Sequence, residues 1–395
     1  MYKIINRKKL AVTIAADVIG RALFLPNFLL KRDRKIMPEE VREILVIRTA
    51  YIGDIIMTLP MLKPLKAKYP NSKITFLLSS GAVELLSHNP YIDRVLVYDA
   101  FWFFPGRNGA GKEYFEFLKI LRCIRFDLVI EARADIRDIA LLAFPCRGRY
   151  RVSYDFGGGA YMLTHVVPFR DIKHKVEYHL DIARSLGCKV NGIDWGLNLT
   201  QKEMNEGRAL LQKEGVSDTD TVVGVHPGGR KELKNWHPER YAEAADRLIE
   251  ECAVRVVFTG SEQERVLIDG ILANMKHKAV NLGGRTDLRL LACLIKRYNL
   301  FMCNDSAPLH LASALNTPAV AIFGPSKSRE TGPYGNIHRI VEKGFPCRSK
   351  CDEDVCLHSS FKACMDAVLV SDVFGAAEEV LKETGRYLGG YGVQA

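Results

Sequence analysis

Short apolar runs alternate with amphipathic segments long enough to be helices along nearly the whole chain, and that alternation admits few folds. In the first half the runs are Glu43 to Arg48, Lys73 to Ser79, Arg94 to Tyr98, Asp127 to Glu131 and Tyr150 to Tyr154. Between them lie helical patterns from about Asp54 to Lys68, and at Ala82 to His88, Tyr114 to Ile124 and Val176 to Leu186. A second series starts at Thr221 to His226 and continues through Val254 to Thr259, Ala279 to Leu282, Asn299 to Cys303 and Ala319 to Phe323. Strands separated by helices run parallel, with helices covering both faces of the sheet. The expected class is therefore α/β, as two doubly wound halves at 43–190 and 202–395 joined by a polar linker at 191–201. With 395 residues and 48% apolar composition, each half has material for its own core.

Residues 1–42 stand outside this pattern as a basic arm. Within 1–36, nine Lys or Arg face Asp17 and Asp33, a net of +7 out of the chain's +10. The remaining +3 is too little to mark the body as a nucleic-acid binder. Leu10 to Leu30 as a helix measures ~32 Å, nominally a bilayer's width. Asp17 and Arg21 near its middle each cost about 2.5–3.5 kcal/mol in a span, so an in-plane helix fits better. On such a helix Thr13, Asp17, Gly20, Arg21, Asn27 and Lys31 lie broadly on one side, with Ala11, Ala15, Val18, Ala22, Leu25 and Leu29 opposite. Two readings stand: the arm rests on an anionic membrane surface, or it packs on the protein itself. Asp17 and the lack of a small-residue cleavage site argue against a signal peptide.

Chemistry in such a fold gathers where strands end and helices begin. Asn304 to His310 (NDSAPLH) lies between the apolar run 300–303 and an alanine-rich segment, so Ser306 is placed to cap a helix and Pro308 to open it. The first turn of a helix attracts phosphate, Ala307 lets a ligand approach, and His310 lies one turn further along the same face. Asp305 would repel phosphate and suits sugar hydroxyls. The alternative is an ordinary cap followed by a buried histidine. His226 to Trp236 (HPGGRKELKNW) pairs Gly228 and Gly229, which permit close backbone approach, with Lys234, a mobile charge for a diphosphate. In Gly260 to Glu264, Glu262 has the chemistry to accept hydrogen bonds from a ribose, the alternative being an ordinary loop or cap. In the first half, Gly53 gives freedom where the first strand turns over, and Asp54 stands at a helix start either as a cap or as a reactive carboxylate. The aromatic loop Phe101 to Lys112 suits an acceptor, a membrane or no ligand at all.

IRTAYIGDIIMTLPML (47–62), VGVHPGGRKELKNWHPERY (223–241), FTGSEQER (258–265) and CNDSAPLHLASALNTPAVAIFGPS (303–326), in this order and spacing, resemble glycosyltransferase family 9, the ADP-heptose:lipopolysaccharide heptosyltransferases. The resemblance runs from about Glu43 to the carboxyl terminus. It implies a GT-B fold of two Rossmann-like domains facing a cleft, with the last helix returning to the first domain. It also implies an ADP-heptose donor and inverting transfer to a lipid A-linked core oligosaccharide, on the cytoplasmic face of the bacterial inner membrane. Asp54 then resembles the family's general base, Lys234 its phosphate-binding lysine and Glu262 its ribose-binding acid. Asp305, Ser306, Ala307 and His310 resemble its donor-binding helix start. Such chemistry needs no metal and no cofactor. The one DxD-like pair, Asp218 and Asp220, precedes a strand and so lies away from the strand carboxyl ends. Gly228 and Gly229 depart from relatives with hydroxyl residues in that loop, and the arm is longer than the fold requires.

Cys347, Cys351, Cys356 and Cys364 are spaced by four, five and eight residues, without the paired C-x-x-C knuckles of a zinc site. A disulfide or reduced thiols suit them better, and the other six cysteines read as buried hydrophobes of a reducing compartment. Three alternatives to a heptosyltransferase are a glycosyltransferase for another nucleotide sugar or acceptor, a sugar-nucleotide epimerase of the same fold, and a non-catalytic nucleotide-sugar-binding protein.

Overall fold

The computed structural model describes residues 7–31, 35–104, 110–351 and 353–385. The chain divides after Gly196 into two compact units. The linker is tied to both: Tyr91 Oη and Lys63 Nζ bind Asp194 at 2.6 and 3.0 Å, whereas Arg289 donates to the Asn198 carbonyl at 2.8 Å.

The first unit holds a six-stranded parallel sheet of β1 (Glu43–Arg48), β2 (Lys73–Leu78), β3 (Arg94–Val97), β4 (Leu128–Glu131), β5 (Tyr150–Tyr154) and β6 (His165–Val167), in the order β3-β2-β1-β4-β5-β6. Ile44 to Ile47 of β1 are fully buried because helices cover both faces of a central strand. Each such side chain contributes roughly 1.5–3 kcal/mol over its exposed state. The helical stretch after β1 runs through Ile52–Thr58, Leu59–Met61 and Leu62–Lys68. Gly53 is its second residue and does not adopt a positive φ, so the strand turns over before it. The expected helix at Ala82 to His88 is instead two short 3-10 turns, Ser80–Ala82 and Glu84–Leu86.

The second unit repeats the design with β7 (Val222–His226), β8 (Arg255–Gly260), β9 (Val280–Gly283), β10 (Leu300–Asn304), β11 (Ala319–Phe323) and β12 (His338–Glu342), ordered β12-β11-β10-β7-β8-β9. Helices Pro238–Cys252 and Val370–Glu383 pack together over this sheet, and Trp236 Nε1 donates to the Val368 carbonyl at 3.0 Å. The last described helix thus lies on its own unit, and residues 386–395 fall outside the described ones. The Asp218–Asp220 pair forms a turn: Asp220 accepts the Ser217 N–H at 2.7 Å, and Arg297 binds three carbonyls of the same turn.

The arm is a helix, Arg7–Lys31, seated on the first unit by its polar side. Asp17 is 3% exposed and accepts the Gly159 N–H at 2.8 Å, with Thr13 buried beside it. Gly20 leaves room for the ring of Tyr161, which a Cβ would approach to 2.1 Å, and Phe24 meets Phe144 and Tyr161. Val12, Val18, Ile19 and Leu23 face outward at 61–72% exposure. The sequence places Thr13, Asp17 and Gly20 on one face, but that face meets protein and not water, because the Gly158–Gly159 backbone supplies the N–H that a buried Asp17 needs. Leu25, Asn27, Leu29 and Lys31 have side chains outside the described set. Among the described residues no helix is long and apolar enough to cross a membrane.

Packing in the second core is tight at Gly224 of β7, where a Cβ would lie 2.1 Å from the Tyr298 ring. Gly224→Ala should lower stability by about 1–3 kcal/mol, read as a lower urea midpoint. Gly270, inside helix Arg265–Ala273 with open space at its Cβ position, is the contrasting case. There Gly→Ala should raise the midpoint by about 0.5–1 kcal/mol equivalent.

Candidate active site

In each sheet the first and fourth strands of the unit are neighbours, β1 with β4 and β7 with β10. Connections leave these two strands in opposite directions, so their carboxyl ends open a crevice, the usual ligand position in such sheets. The candidate residues gather at these two places.

At the end of β1, Asp54 is 8% exposed, in the first turn of helix Ile52–Thr58, but it does not cap the helix. Its Oδ1 instead lies 2.9 Å from Arg48 Nη2 and 2.9 Å from Lys175 Nζ. Burial by itself pushes the carboxyl up, yet Arg48, Lys175 and Arg133 together hold it well below the usual carboxylate range. Asp54 is therefore an ionised, acceptor-only group surrounded by cations. Arg48 Nε and Nη1 are buried without a hydrogen-bond partner, as is Arg133 Nη1.

Two neighbouring carboxyls behave oppositely. Burial, then Asp138, pushes Glu131 at the end of β4 up to about 8, and burial with Asp135 pushes Asp138 up to about 6. Asp138 anchors the aromatic loop, accepting Trp102 Nε1–H at 2.8 Å, while the guanidiniums of Arg133 and Arg137 lie 3.9 and 4.6 Å from the Phe103 ring centre. The first part of that loop is thus bound to the Asp54 region, and residues 105–109 fall outside the described ones.

At the end of β10, Asn304 is fully buried and joins two loops. Its Nδ2 donates to the Pro227 carbonyl at 2.6 Å, and its Oδ1 accepts the Trp236 N–H at 3.1 Å and Tyr241 Oη–H at 2.9 Å. This sets the glycine loop beside the start of helix Ala307–Ala314. Lys234 Nζ lies 3.0 Å from Asp305 Oδ2 and 2.9 Å from Glu353 Oε2. Burial lowers the lysine pKa, but Asp305 and Glu353 outweigh it, so Lys234 stays charged.

Ser306 occupies the cap position without capping, and its hydroxyl is buried and unpartnered, as is Asn235 Oδ1. Both flank Gly229, where a Cβ would lie 2.8 Å from Asn235 Oδ1 and 3.9 Å from Ser306 Cβ. A side chain at Gly228 would meet Glu264 Oε1 at 2.1 Å. Glu264 caps Ser261 and lies 3.6 Å from His226 Nε2, linking the loops after β7 and β8.

The expected residues of the second unit thus fall into one neighbourhood with different surroundings. Lys234, Asp305, Ser306, Gly228 and Gly229 share the β7/β10 crevice. Ala307 is half-buried at the helix start, and His310 is buried one turn in. Glu262 is exposed after β8 and bound only loosely to Arg265 at 3.6 Å. Sequence reasoning missed Arg48, Lys175, Arg133, Asn235, Asn304 and Glu353. Arg48 alone had a local signal, a charge closing an otherwise apolar strand. The ten cysteines, the late four included, are free thiols. Among the described residues no three His, Cys, Asp or Glu are grouped to hold a metal ion.

Comparison with known proteins bears on the fold and the family. The pattern of the family described as glycosyltransferase family 9 (heptosyltransferase) matches residues 114–359, more than half of the chain. Lipopolysaccharide heptosyltransferase 3 of Escherichia coli K12 is 28% identical over 350 residues, covering 84% of this chain and 96% of that protein. Among solved structures, a family 9 glycosyl transferase from Veillonella parvula superposes with a TM-score of 0.74 at 23% identity, covering 89% of this chain and all of that one. The E. coli ADP-heptose lps heptosyltransferase II superposes with a TM-score of 0.68 at 21% identity, over 87% of this chain and 99% of that one. The two doubly wound units are those of the GT-B fold that these structures share. The chain belongs to glycosyltransferase family 9, the heptosyltransferases.

Proposed function

We propose that the protein transfers heptose from ADP-heptose to a lipid-linked acceptor of the lipopolysaccharide core, with inversion at the anomeric carbon. The observation that carries this reading is the paired chemistry of the two crevices: an ionised carboxylate among cations at β1, and a charged lysine beside unpartnered polar atoms at β7/β10. The names of the relatives point to the same donor and acceptor class. Family membership sets aside the epimerase and the non-catalytic readings.

In this mechanism Asp54 accepts the proton of the acceptor hydroxyl as its oxygen attacks the anomeric carbon and the bond to the diphosphate breaks. Lys234 and the start of helix Ala307–Ala314 meet the negative charge that builds on the leaving group. Ser306 and Asn235 bond the donor's polar groups through the backbone gap at Gly229, and Glu262 accepts from the ribose. Asp305 orients Lys234. An Asp54 held so far down is a weak base, so proton transfer requires its cations, Lys175 first among them as the more exposed, to loosen as the acceptor arrives.

The arm supports a membrane-surface role on the cytoplasmic side. The only acid of its helix Arg7–Lys31, Asp17, is turned inward, leaving an aliphatic face with Lys8 and Arg21 exposed on the same helix. That combination suits an anionic interface.

Asp54→Asn should cut transfer by about 10²–10⁴-fold while ADP binding, followed by calorimetry, stays unchanged. A matching fall in ADP affinity would show that Asp54 is structural. Lys234→Ala should weaken ADP roughly 10- to 100-fold. Lys175 lowers the pKa of Asp54, whose ionised form is present above that pKa and lost as pH falls through it. Lys175→Met therefore raises the folded pKa, and the acid limb of the kcat/KM profile should move to higher pH. Val18→Asp with Leu23→Asp should release the protein from phosphatidylglycerol vesicles without altering ADP binding. Retention on those vesicles refutes the membrane role.

A further inference from the structure

The cations set out for the diphosphate are already neutralised from within. Glu353 Oε2 lies 2.9 Å from Lys234 Nζ, and its Oε1 lies 2.8 Å from Arg230 Nη2. The next residue, Asp354, pairs with Lys231. Counting Asp305 on Lys234, three cations of the loop after β7 face three carboxylates, so these pairs together offer no excess positive charge to an anionic ligand. The pairs are close and partly shielded, with Lys234 18% and Glu353 32% exposed at the side chain. Burial pushes the Glu353 carboxyl up, but Lys234 and then Arg230 bring it below its ordinary value, so it is ionised at neutral pH.

The two acids that hold Lys234 differ in how they are built in. Asp305 lies between β10 and a helix start and is 7% exposed, whereas Glu353 stands on a segment, 353–360, with neither helix nor strand. Arg230 also reaches this segment through Glu353.

We infer that Glu353 is an internal competitor for the donor's diphosphate: donor binding exchanges this carboxylate for phosphate on Lys234 and Arg230. The inference rests on the donor reading above. Exchange of one anion for another changes little net charge, so the wild-type protein binds its donor with less attraction than three cations would give, and releases the nucleoside diphosphate product more readily. Glu353 is a gatekeeping residue that touches no reacting atom. Its neutralisation takes one carboxylate away from Lys234 and Arg230, leaving Asp305 on Lys234, without creating any new contact to the nucleoside.

The experiment is calorimetric titration of the full chain and of Glu353→Gln with ADP, inorganic pyrophosphate and adenosine at low and high salt. Thermal unfolding verifies that the variant is folded. The expected result is tightening of ADP and pyrophosphate by about fivefold in the variant at low salt. That gain should shrink at high salt, because the uncompensated cations are screened. Adenosine should bind both forms alike. If the variant binds ADP and pyrophosphate equally or more weakly than wild type, Glu353 merely orients Lys234 and the exchange is wrong. A gain that is independent of salt, or that extends to adenosine, also overturns it. If neither form binds ADP or pyrophosphate, the donor reading itself fails, and the inference fails with it.

Discussion

The parallel pairing of β7 with β10 is the constraint on which the second site depends. Asn304 completes it: with one side chain it fixes the Pro227 carbonyl, the Trp236 amide and the Tyr241 hydroxyl, spanning 77 positions in the bond to Pro227. Every polar atom of a fully buried amide must find a partner, so the geometry of the loop is set by satisfaction of Asn304 and not by the loop's own preferences. Asn235 and Ser306 flank the same gap at Gly229 as a consequence. The first unit uses the matching pair, β1 with β4, to bring Asp54 and Glu131 to one edge.

That edge shows how a fold separates carboxyls that are chemically alike. Asp54, Asp138 and Glu131 are all buried, yet the first is driven down by three cations and the other two are driven up, Glu131 by burial and then the charge of Asp138, Asp138 by burial and then the charge of Asp135. Charge neighbours decide the protonation state once water is removed. One ionised carboxylate therefore shares a unit with two carboxyls that are reluctant to ionise. Those two serve as hydrogen-bonding struts, as Asp138 does for Trp102.

The sequence made ten of the twelve strands legible because their apolar runs are long and buried on both faces. It did not reveal β6, which has three residues, or β12, whose partly exposed side chains break the apolar run. Both lie at sheet edges, where burial on two faces no longer dictates composition. Lys234, Asp305 and Asp54 draw partners from far away in sequence. Lys175 lies 121 positions from Asp54, and Glu353 lies on a cysteine-rich segment read only for its thiols. Local pattern names the loop that holds a site, whereas the partners that tune it are a tertiary fact. The arm makes the same point, since its amphipathic period was plain in the sequence and the direction in which its polar face points was not.

Because Asp17 and Gly20 clamp the arm's inner face to the first unit, the arm is no flexible leash. Contact of its outer face with a bilayer would give the whole unit a fixed height and tilt over the lipid plane. A lipid-borne sugar would then meet the Asp54 crevice by lateral diffusion alone, a search in two dimensions where tumbling in bulk would require three. On such a surface the reach from helix Arg7–Lys31 to the crevice would act as a ruler, favouring acceptors whose sugar chain projects to that height.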